Sequence, residues 1–348
     1  MALISYRKNS YTRGWYIKFL NLSIIEYRIN FEKQKGIFHV FGLPLFFTNV
    51  KVKTVEKYAD AVFRFFPNHD LYVCCYSGAG EVYQLALRLQ KYVNDSCKKN
   101  PCIICTNKKL EQVFRMAIRD NIPIYVLHDL RCQFIDTSFE RNGKTIFVPL
   151  NRIYFTAVEQ KILSGNSHYF DCLLSHLGKL SKEKSAVSRS VSGTVKEIRK
   201  KYPKIAFLSP EADTLKELPF EYWHSIVIFL KSEGYQVFLN AMNSKYDLLD
   251  VTQTKELSYQ EAVELCSQSD LLLGLRSGFV ELALFNGAKA IVIYNNFRDT
   301  CVTKLTAKQA LNGFTLKKMP ICNSSNVTEV LFEDYDDPYS LFSLVANK

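Results

Sequence analysis

Residues 271–293 read Leu271-Leu-Leu-Gly274-Leu-Arg276-Ser277-Gly278-Phe-Val-Glu281-Leu-Ala-Leu-Phe285-Asn-Gly287-Ala-Lys-Ala-Ile-Val-Ile293. The opening apolar run is too short for a helix and reads as a buried strand. A turn of small and charged residues follows from Gly274 to Gly278, then an apolar-rich helix, then Gly287 and a second strand-like run. In an open α/β sheet, a turn at the carboxyl end of a strand is where ligands bind. Backbone N–H groups and the helix dipole converge there on an anion. Arg276, Ser277 and Gly278 occupy this turn, and Glu281 lies on the first turn of the helix. A cation, a hydroxyl and a small residue suit a diphosphate, and the carboxylate suits ribose hydroxyls. An ordinary strand–helix–strand corner with a solvated Arg satisfies the same spacing, and the stretch alone leaves the two readings level.

Working outward, the same alternation fills the second half: strand Ile205 to Leu208, helix Phe220 to Ser232, strand Gln236 to Asn240 and helix Tyr259 to Cys266. Gly234-Tyr235 is a helix stop followed by a strand start. The first half repeats it, with strands at Leu71 to Tyr76, Cys102 to Thr106, Ile122 to Leu127 and Thr145 to Leu150. Helices are expected at Val82 to Val93 and Lys109 to Arg119, with two helical pieces between Arg152 and Leu180. Strands alternating with helices of this length mean a parallel sheet. The expected fold is therefore α/β, with two Rossmann-like doubly wound domains facing across a cleft. Their expected bounds are 1–180 and 205–325, with a basic linker at 181–204 and a tail at 326–348 that ends in a short helix. The linker carries the hint of a helix around Val195 to Lys201. A nucleic-acid-binding arm is the alternative there, but no aromatics are interleaved with the basic residues, so no nucleic-acid partner is expected.

The composition sets the outer limits. The chain has 348 residues, 47% hydrophobic and 14% aromatic, enough for two cores of ordinary size. Net charge is +11, which favours an anionic partner such as a phosphorylated small molecule or an anionic membrane surface. No stretch reaches the ~18–20 apolar residues that span a bilayer, and the start lacks the ordered regions of a signal peptide. The expectation is a cytoplasmic protein. Its ten cysteines follow no framework spacing, as in a reducing compartment. Cys74, Cys75, Cys102 and Cys105 read as small core residues, and the Cys102-Ile-Ile-Cys105 spacing has no second pair to make a metal site. Residues 1–60 are aromatic and basic. Gly36 to Phe47 reads as one or two short strands around a Gly42-Leu43-Pro44 turn, and Lys53 to Phe66 as a helix. This segment is either a packing extension of the first domain or a membrane-surface patch on the inner face of the cytoplasmic membrane.

The first strand–helix turn, Ser77-Gly78-Ala-Gly80-Glu81, is like a dinucleotide fingerprint without its third Gly. An acid where the helix begins repels phosphate, so this turn is not read as a phosphate cradle. Glu81 is then either an acid stabilised by the helix dipole or a base facing the cleft. Ser209 and Lys216 lie after the first strand of the second half, in Ser209-Pro-Glu-Ala-Asp213-Thr-Leu-Lys216-Glu-Leu-Pro-Phe-Glu-Tyr-Trp223. Lys216 is a phosphate-binding candidate or a surface lysine, and Ser209 a second phosphate contact. His128, at a strand end, is the histidine to watch.

These motifs together resemble the ADP-heptose:lipopolysaccharide heptosyltransferase family, glycosyltransferases of the GT-B fold. Tyr76-Ser-Gly-Ala-Gly-Glu81 holds the place of the family's small-residue turn and acid, with Glu where Asp is usual. Lys216-Glu-Leu-Pro-Phe-Glu-Tyr-Trp223 matches its basic residue, apolar-Pro pair and aromatic-bearing helix. Leu257 to Asp270 matches the next small helix, and Leu271 to Gly287 the last strand, turn and helix. The likeness covers residues 70–130 and 205–295. Arg276-Ser277-Gly278 replaces the family's Asp/Asn-Ser/Thr-Gly, and Glu281 stands where a His is usual, which leaves the donor sugar open. An Arg in this turn is similar to what some fucosyltransferases of the fold use against a nucleotide diphosphate. The resemblance implies a metal-independent, inverting glycosyltransferase without a cofactor. A nucleotide-diphosphate sugar would be the donor and a glycan or lipid-linked surface polysaccharide the acceptor. Glu81 is the candidate base. Ser209, Lys216, Arg276, Ser277, Gly278 and Glu281 are the candidate donor-binding residues, with Ser77, Gly78 and Gly80 forming the first-domain turn. A sugar-nucleotide epimerase and a non-catalytic sugar-nucleotide-binding scaffold are the alternatives.

Overall fold

The computed structural model describes residues 4–8, 15–19, 22–30, 35–41, 43–49, 55–75, 78–95, 99–118, 122–127, 138–150, 165, 168–177, 191–298, 305–319 and 324–346. Three sheets organise them. The first is an antiparallel meander of five strands in chain order: β1 (Ile4–Lys8), β2 (Trp15–Phe19), β3 (Leu22–Asn30), β4 (Lys35–Val40) and β5 (Leu43–Asn49). Sequence reading found only its last hairpin. The helix α1 (Val55–Phe65) follows.

The second sheet runs β8 (Ile124–Val126), β7 (Pro101–Cys105), β6 (Leu71–Cys75), β10 (Lys144–Phe147), β9 (Ser138–Arg141). All but the edge strand β9 are parallel. Successive side chains of a strand point to opposite faces, and the core divides accordingly. Leu71, Val73 and Cys75 pack with α2 (Ala79–Asp95) and α3 (Lys108–Ala117) in the main core. Tyr72 and Cys74 pack with Ala59 and Val62 of α1 in a smaller one. Both faces are thus covered by helices, which is why these strands read as unbroken apolar runs. All four cysteines singled out above are buried strand residues.

The third sheet has the order β13 (Thr252–Gln253), β12 (Gln236–Leu239), β11 (Ile205–Ser209), β14 (Leu271–Leu275), β15 (Ala290–Tyr294), β16 (Val327–Leu331), and every pair is parallel. Numbered from β11, the order is 3-2-1-4-5-6, that of a dinucleotide-binding sheet. The helix α4 (Tyr169–Leu177) precedes this sheet, and α5 (Gly193–Lys201), α6 (Phe220–Ser232), α7 (Tyr259–Gln268), α8 (Gly278–Phe285), α9 (Ala307–Phe314) and α10 (Pro338–Ala346) belong to it. Several starts are fixed by sequence-local caps. Ser258 with Glu261 and Thr306 with Gln309 each form a reciprocal capping box.

Two expected boundaries change. Residues 326–348 are not a tail, because β16 completes the sheet and α10 packs on α6 with Phe229 and Phe342 stacked 3.8 Å apart. The second part of the linker at 181–204 is the docked helix α5. Its Val195 is fully buried, Arg199 pairs with Asp270 at 3.0 Å, and the Ser192 N–H donates to Glu264. Among the described residues, no helix is long and apolar enough to cross a membrane.

Candidate functional site

The site begins where β11 and β14 approach each other. Ser209 lies opposite Gly274 in the parallel register. A Cβ at position 274 would stand 2.6 Å from the Ser209 carbonyl oxygen, so only a residue without a side chain lets the strands come this close. Two residues later Arg276 leaves the strand. Ser277 then turns to extended backbone and caps α8, its hydroxyl accepting the Val280 N–H at 3.4 Å. The Ser277 carbonyl accepts the Glu281 N–H at 3.0 Å.

The start of α8 sits directly on the start of α2. A Cβ on Gly278 would lie 3.3 Å from the Gly80 nitrogen, and the rings of Tyr83 and Phe285 are 5.5 Å apart farther along. Beside them α3 meets α7, where the Gln260 N–H donates to Gln112 at 3.2 Å and Lys109 lies over the Tyr259 ring. The first strand–helix turn of the second sheet and the β14–α8 turn of the third are therefore neighbours.

Arg276 fills the space beneath. Its side chain is only 15% exposed and forms an ion pair with Glu281, which is 3% exposed. Its guanidinium also lies over the rings of Tyr169, at 5.5 Å, and Phe314, at 5.1 Å, an arrangement the ring quadrupoles favour. Its Nε finds no hydrogen-bond acceptor among the described residues. Glu281 reaches across to Gly80, where an added Cβ would fall 1.8 Å from the Glu281 Oε2. Glu81 curls back over its own helix start, with Oε2 2.5 Å from where a Cβ on Gly78 would be.

Two carboxylates and one guanidinium thus share a largely dry corner. Burial first, then the charge of Glu81, pushes the Glu281 carboxyl up, to about 7, against the pull of Arg276. Burial works against the Arg276 charge too, but Glu281, Tyr294, Tyr169 and Glu81 together outweigh it and raise its pKa. These two directions oppose each other within one pair. A guanidinium keeps its proton in proteins, so the proton free to move is the one on Glu281.

A buried polar layer supports the corner. His168 is 4% exposed, and its Nδ1 accepts the Phe170 N–H at 3.2 Å. Burial first, then Lys318, lowers its pKa to about 4, so it is neutral near pH 7. The Tyr294 hydroxyl lies 2.6 Å from Glu329 and 3.1 Å from the Phe314 carbonyl oxygen. The contact to that carbonyl helps hold Phe314 against Arg276.

Of the residues expected from sequence, the structure brings together Gly78, Gly80, Glu81, Arg276, Ser277, Gly278 and Glu281. Ser209 is buried behind them as the neighbour of Gly274. Lys216 is exposed on a loop whose backbone is tied to Asn295 and Asn296, beyond the end of β15. Its neighbour Glu217 pairs with Arg298 at 2.9 Å and Lys245 at 2.5 Å. Ser77 and His128 lie outside the described residues. Tyr169, Phe314 and His168 escaped sequence reading, since they are far in sequence from the turn they surround. Only the Thr306-x-x-Gln309 box pointed to the helix that ends in Phe314. An open groove of about 840 Å³ lies at the opposite end of the second sheet, lined by His69, Lys99, Asn100 and Pro101 among others. Helix N-termini point away from that end, and the anion-binding features lie at the other.

Strand order and site together define a doubly wound α/β protein with a charged turn at the carboxyl ends of its parallel strands. No protein-family model matches the sequence, and no curated protein matches it. The solved structures that resemble the chain include glycosyltransferases. One is a glycosyl transferase family 9 protein from Veillonella parvula, 10% identical over 79% of this chain and 89% of that one, with TM-score 0.43. Another is the E. coli ADP-heptose lps heptosyltransferase II, 12% identical over 80% and 98%, with TM-score 0.48. The E. coli heptosyltransferase WaaC with ADP is 11% identical over 69% and 95%, with TM-score 0.42.

Proposed function

We propose that this chain is a GT-B glycosyltransferase that moves a sugar from a nucleotide-diphosphate donor to a hydroxyl of a surface glycan or a lipid-linked acceptor. The observation that carries the reading is the meeting of Glu81, on the first turn of α2, with Arg276 and Glu281 at the start of α8. An acid from one parallel sheet and a cation from the other share one corner at their strand ends. The donor enters the cleft between the two sheets when these helix starts separate. Its diphosphate takes the guanidinium edge that Glu281 now holds, and the Gly278 N–H and Ser277 hydroxyl add donors. Lys216 reaches the same charge from its loop. Once the diphosphate has taken its place beside Arg276, Glu281 turns to the ribose hydroxyls.

Glu81 takes the proton of the acceptor hydroxyl as its oxygen bonds to the anomeric carbon from the face opposite the leaving group. The bond from that carbon to the diphosphate breaks, and its electron pair leaves with the nucleotide. Arg276 and the N–H groups neutralise the growing charge, so the step is metal-independent and inverting. The second reading rests on the same ion pair. If Arg276 and Glu281 only lock α8 against α2, the chain is a sugar-nucleotide-binding or scaffold protein without turnover.

The test is a thermal-shift series with ADP, GDP, UDP, dTDP and CMP and their sugars on wild type, Arg276→Lys and Glu81→Gln. A ligand at ~100 times its Kd stabilises the fold by about 2.7 kcal/mol. The transferase reading expects one nucleotide to do so, Arg276→Lys to weaken it, and Glu81→Gln to keep it while losing turnover. If none of the nucleotides stabilises the protein at millimolar concentration, the donor site is refuted. If Glu81→Gln turns over normally, Glu81 is not the base.

A further inference from the structure

Outside this site, the strongest unexplained feature is the tip of the β4–β5 hairpin. Val40 pairs with Leu43, so the chain reverses within two residues, of which Phe41 is the first. Turns of this length favour Gly, Asn or Asp, because they demand left-handed backbone. Phe41 adopts it nevertheless, with φ 49°, and a bulky side chain is strained there. Its ring gains no burial in return, being 74% exposed. On the descending strand Leu43 and Leu45 are 68% and 61% exposed. A water-exposed surface seldom gathers three large apolar side chains around one turn without an interaction to explain them.

The sheet that carries this tip is basic. Residues 4–49 hold seven Lys or Arg against two Glu, and none of the nine lies between 36 and 49. An apolar, uncharged tip on a cationic sheet has the composition of an interfacial anchor, in which apolar side chains enter the acyl boundary and cations meet anionic headgroups. β5 is also an edge strand. Its Pro44 is one of the devices by which edges resist pairing with another strand, which argues against a second copy adding there. We propose that the β4–β5 hairpin tip, Phe41 with Leu43 and Leu45, inserts into the headgroup zone of an anionic bilayer, with the basic meander lying over the surface.

Vesicle binding needs no donor sugar, so this proposal stands or falls apart from the transferase reading. The full chain is sedimented with vesicles of phosphatidylcholine alone and with phosphatidylglycerol added, as wild type, Phe41→Ser and Leu43→Ser/Leu45→Ser. Wild type should partition onto the anionic vesicles, and each variant should lose at least about tenfold in partitioning. Melting temperatures should not fall, because the replaced side chains are exposed. Added salt should weaken wild-type binding. The proposal is overturned if wild type stays in the supernatant, or if the variants bind as well as wild type. It is equally overturned if wild type self-associates and the variants abolish that association, which would show that a second copy covers the tip.

Discussion

Gly80→Ala sets two magnitudes against each other at the centre of the site. Within a helix the exchange normally stabilises by about 0.5–1 kcal/mol, since glycine loses more backbone freedom on folding. Here the new Cβ would lie 1.8 Å from the Glu281 Oε2 and 2.9 Å from its Cδ. Ordinary contact begins near ~3.4 Å, so the carboxylate must move by more than an ångström. Glu281 is 3% exposed and held by Arg276, and it has no free space to swing into without loosening that pair. Overpacking of this kind costs about 1–3 kcal/mol, so we expect net destabilisation of about 1–2 kcal/mol in urea unfolding. The decisive form is a double-mutant cycle with Glu281→Ala. That single change should itself destabilise, by about 3–5 kcal/mol, because it strands the Arg276 charge. In its background the obstacle to the added methyl group is gone, and Gly80→Ala should become neutral or stabilising, leaving a coupling of about 1–3 kcal/mol. Additive single effects would refute the contact between the two helix starts, and so would a Gly80→Ala variant as stable as wild type.

Two further outcomes follow from buried groups elsewhere. His168 titrates at about 4 in the fold against 6.5 unfolded, so the unfolded chain binds more protons between these values and stability falls as pH drops through that window. His168→Gln should remove that part of the acid loss, about 3 kcal/mol at most, and an unchanged pH profile of chemical denaturation would show that the imidazole is not buried neutral. Trp223 is completely buried on α6, and Trp223→Ala should cost about 3–5 kcal/mol of unfolding free energy; a loss below about 1 kcal/mol would mean that this helix does not pack as described.

The parallel sheets were legible because strands covered by helices on both faces are apolar throughout. Residues 271–293 resolve into strand, turn, helix and strand at almost the expected positions, and α6 matches its expected bounds. β16 escaped because its middle residue is Glu329, a carboxylate tolerated there only through Tyr294, Thr315 and the Leu316 N–H. β9 need not have escaped. Asn142-Gly143, both at positive φ, make the two-residue turn that joins it to β10, and that dipeptide is a hairpin signal. In the site, the charged residues of both turns could be read locally, because each ends a recognisable strand. The partner Arg276 would choose could not. Glu281 lies only five residues on, but Tyr169 and Phe314 reach it through tertiary packing, and no spacing encodes that choice.

The 3-2-1-4-5-6 order has a consequence for how the chain comes off the ribosome. β11 is made first and lies at the centre, but one of its two edges waits while β12 and β13 are built on the other. β14 fills the vacant edge only when synthesis reaches Leu271, and its tight passage at Gly274 requires β11 already in place. Until then an apolar strand edge stands open to solvent, the condition in which nascent chains aggregate. The turn bearing Arg276 thus closes the sheet's most exposed interval, which makes residues 205–270 the segment whose emergence a chaperone would have most reason to shield.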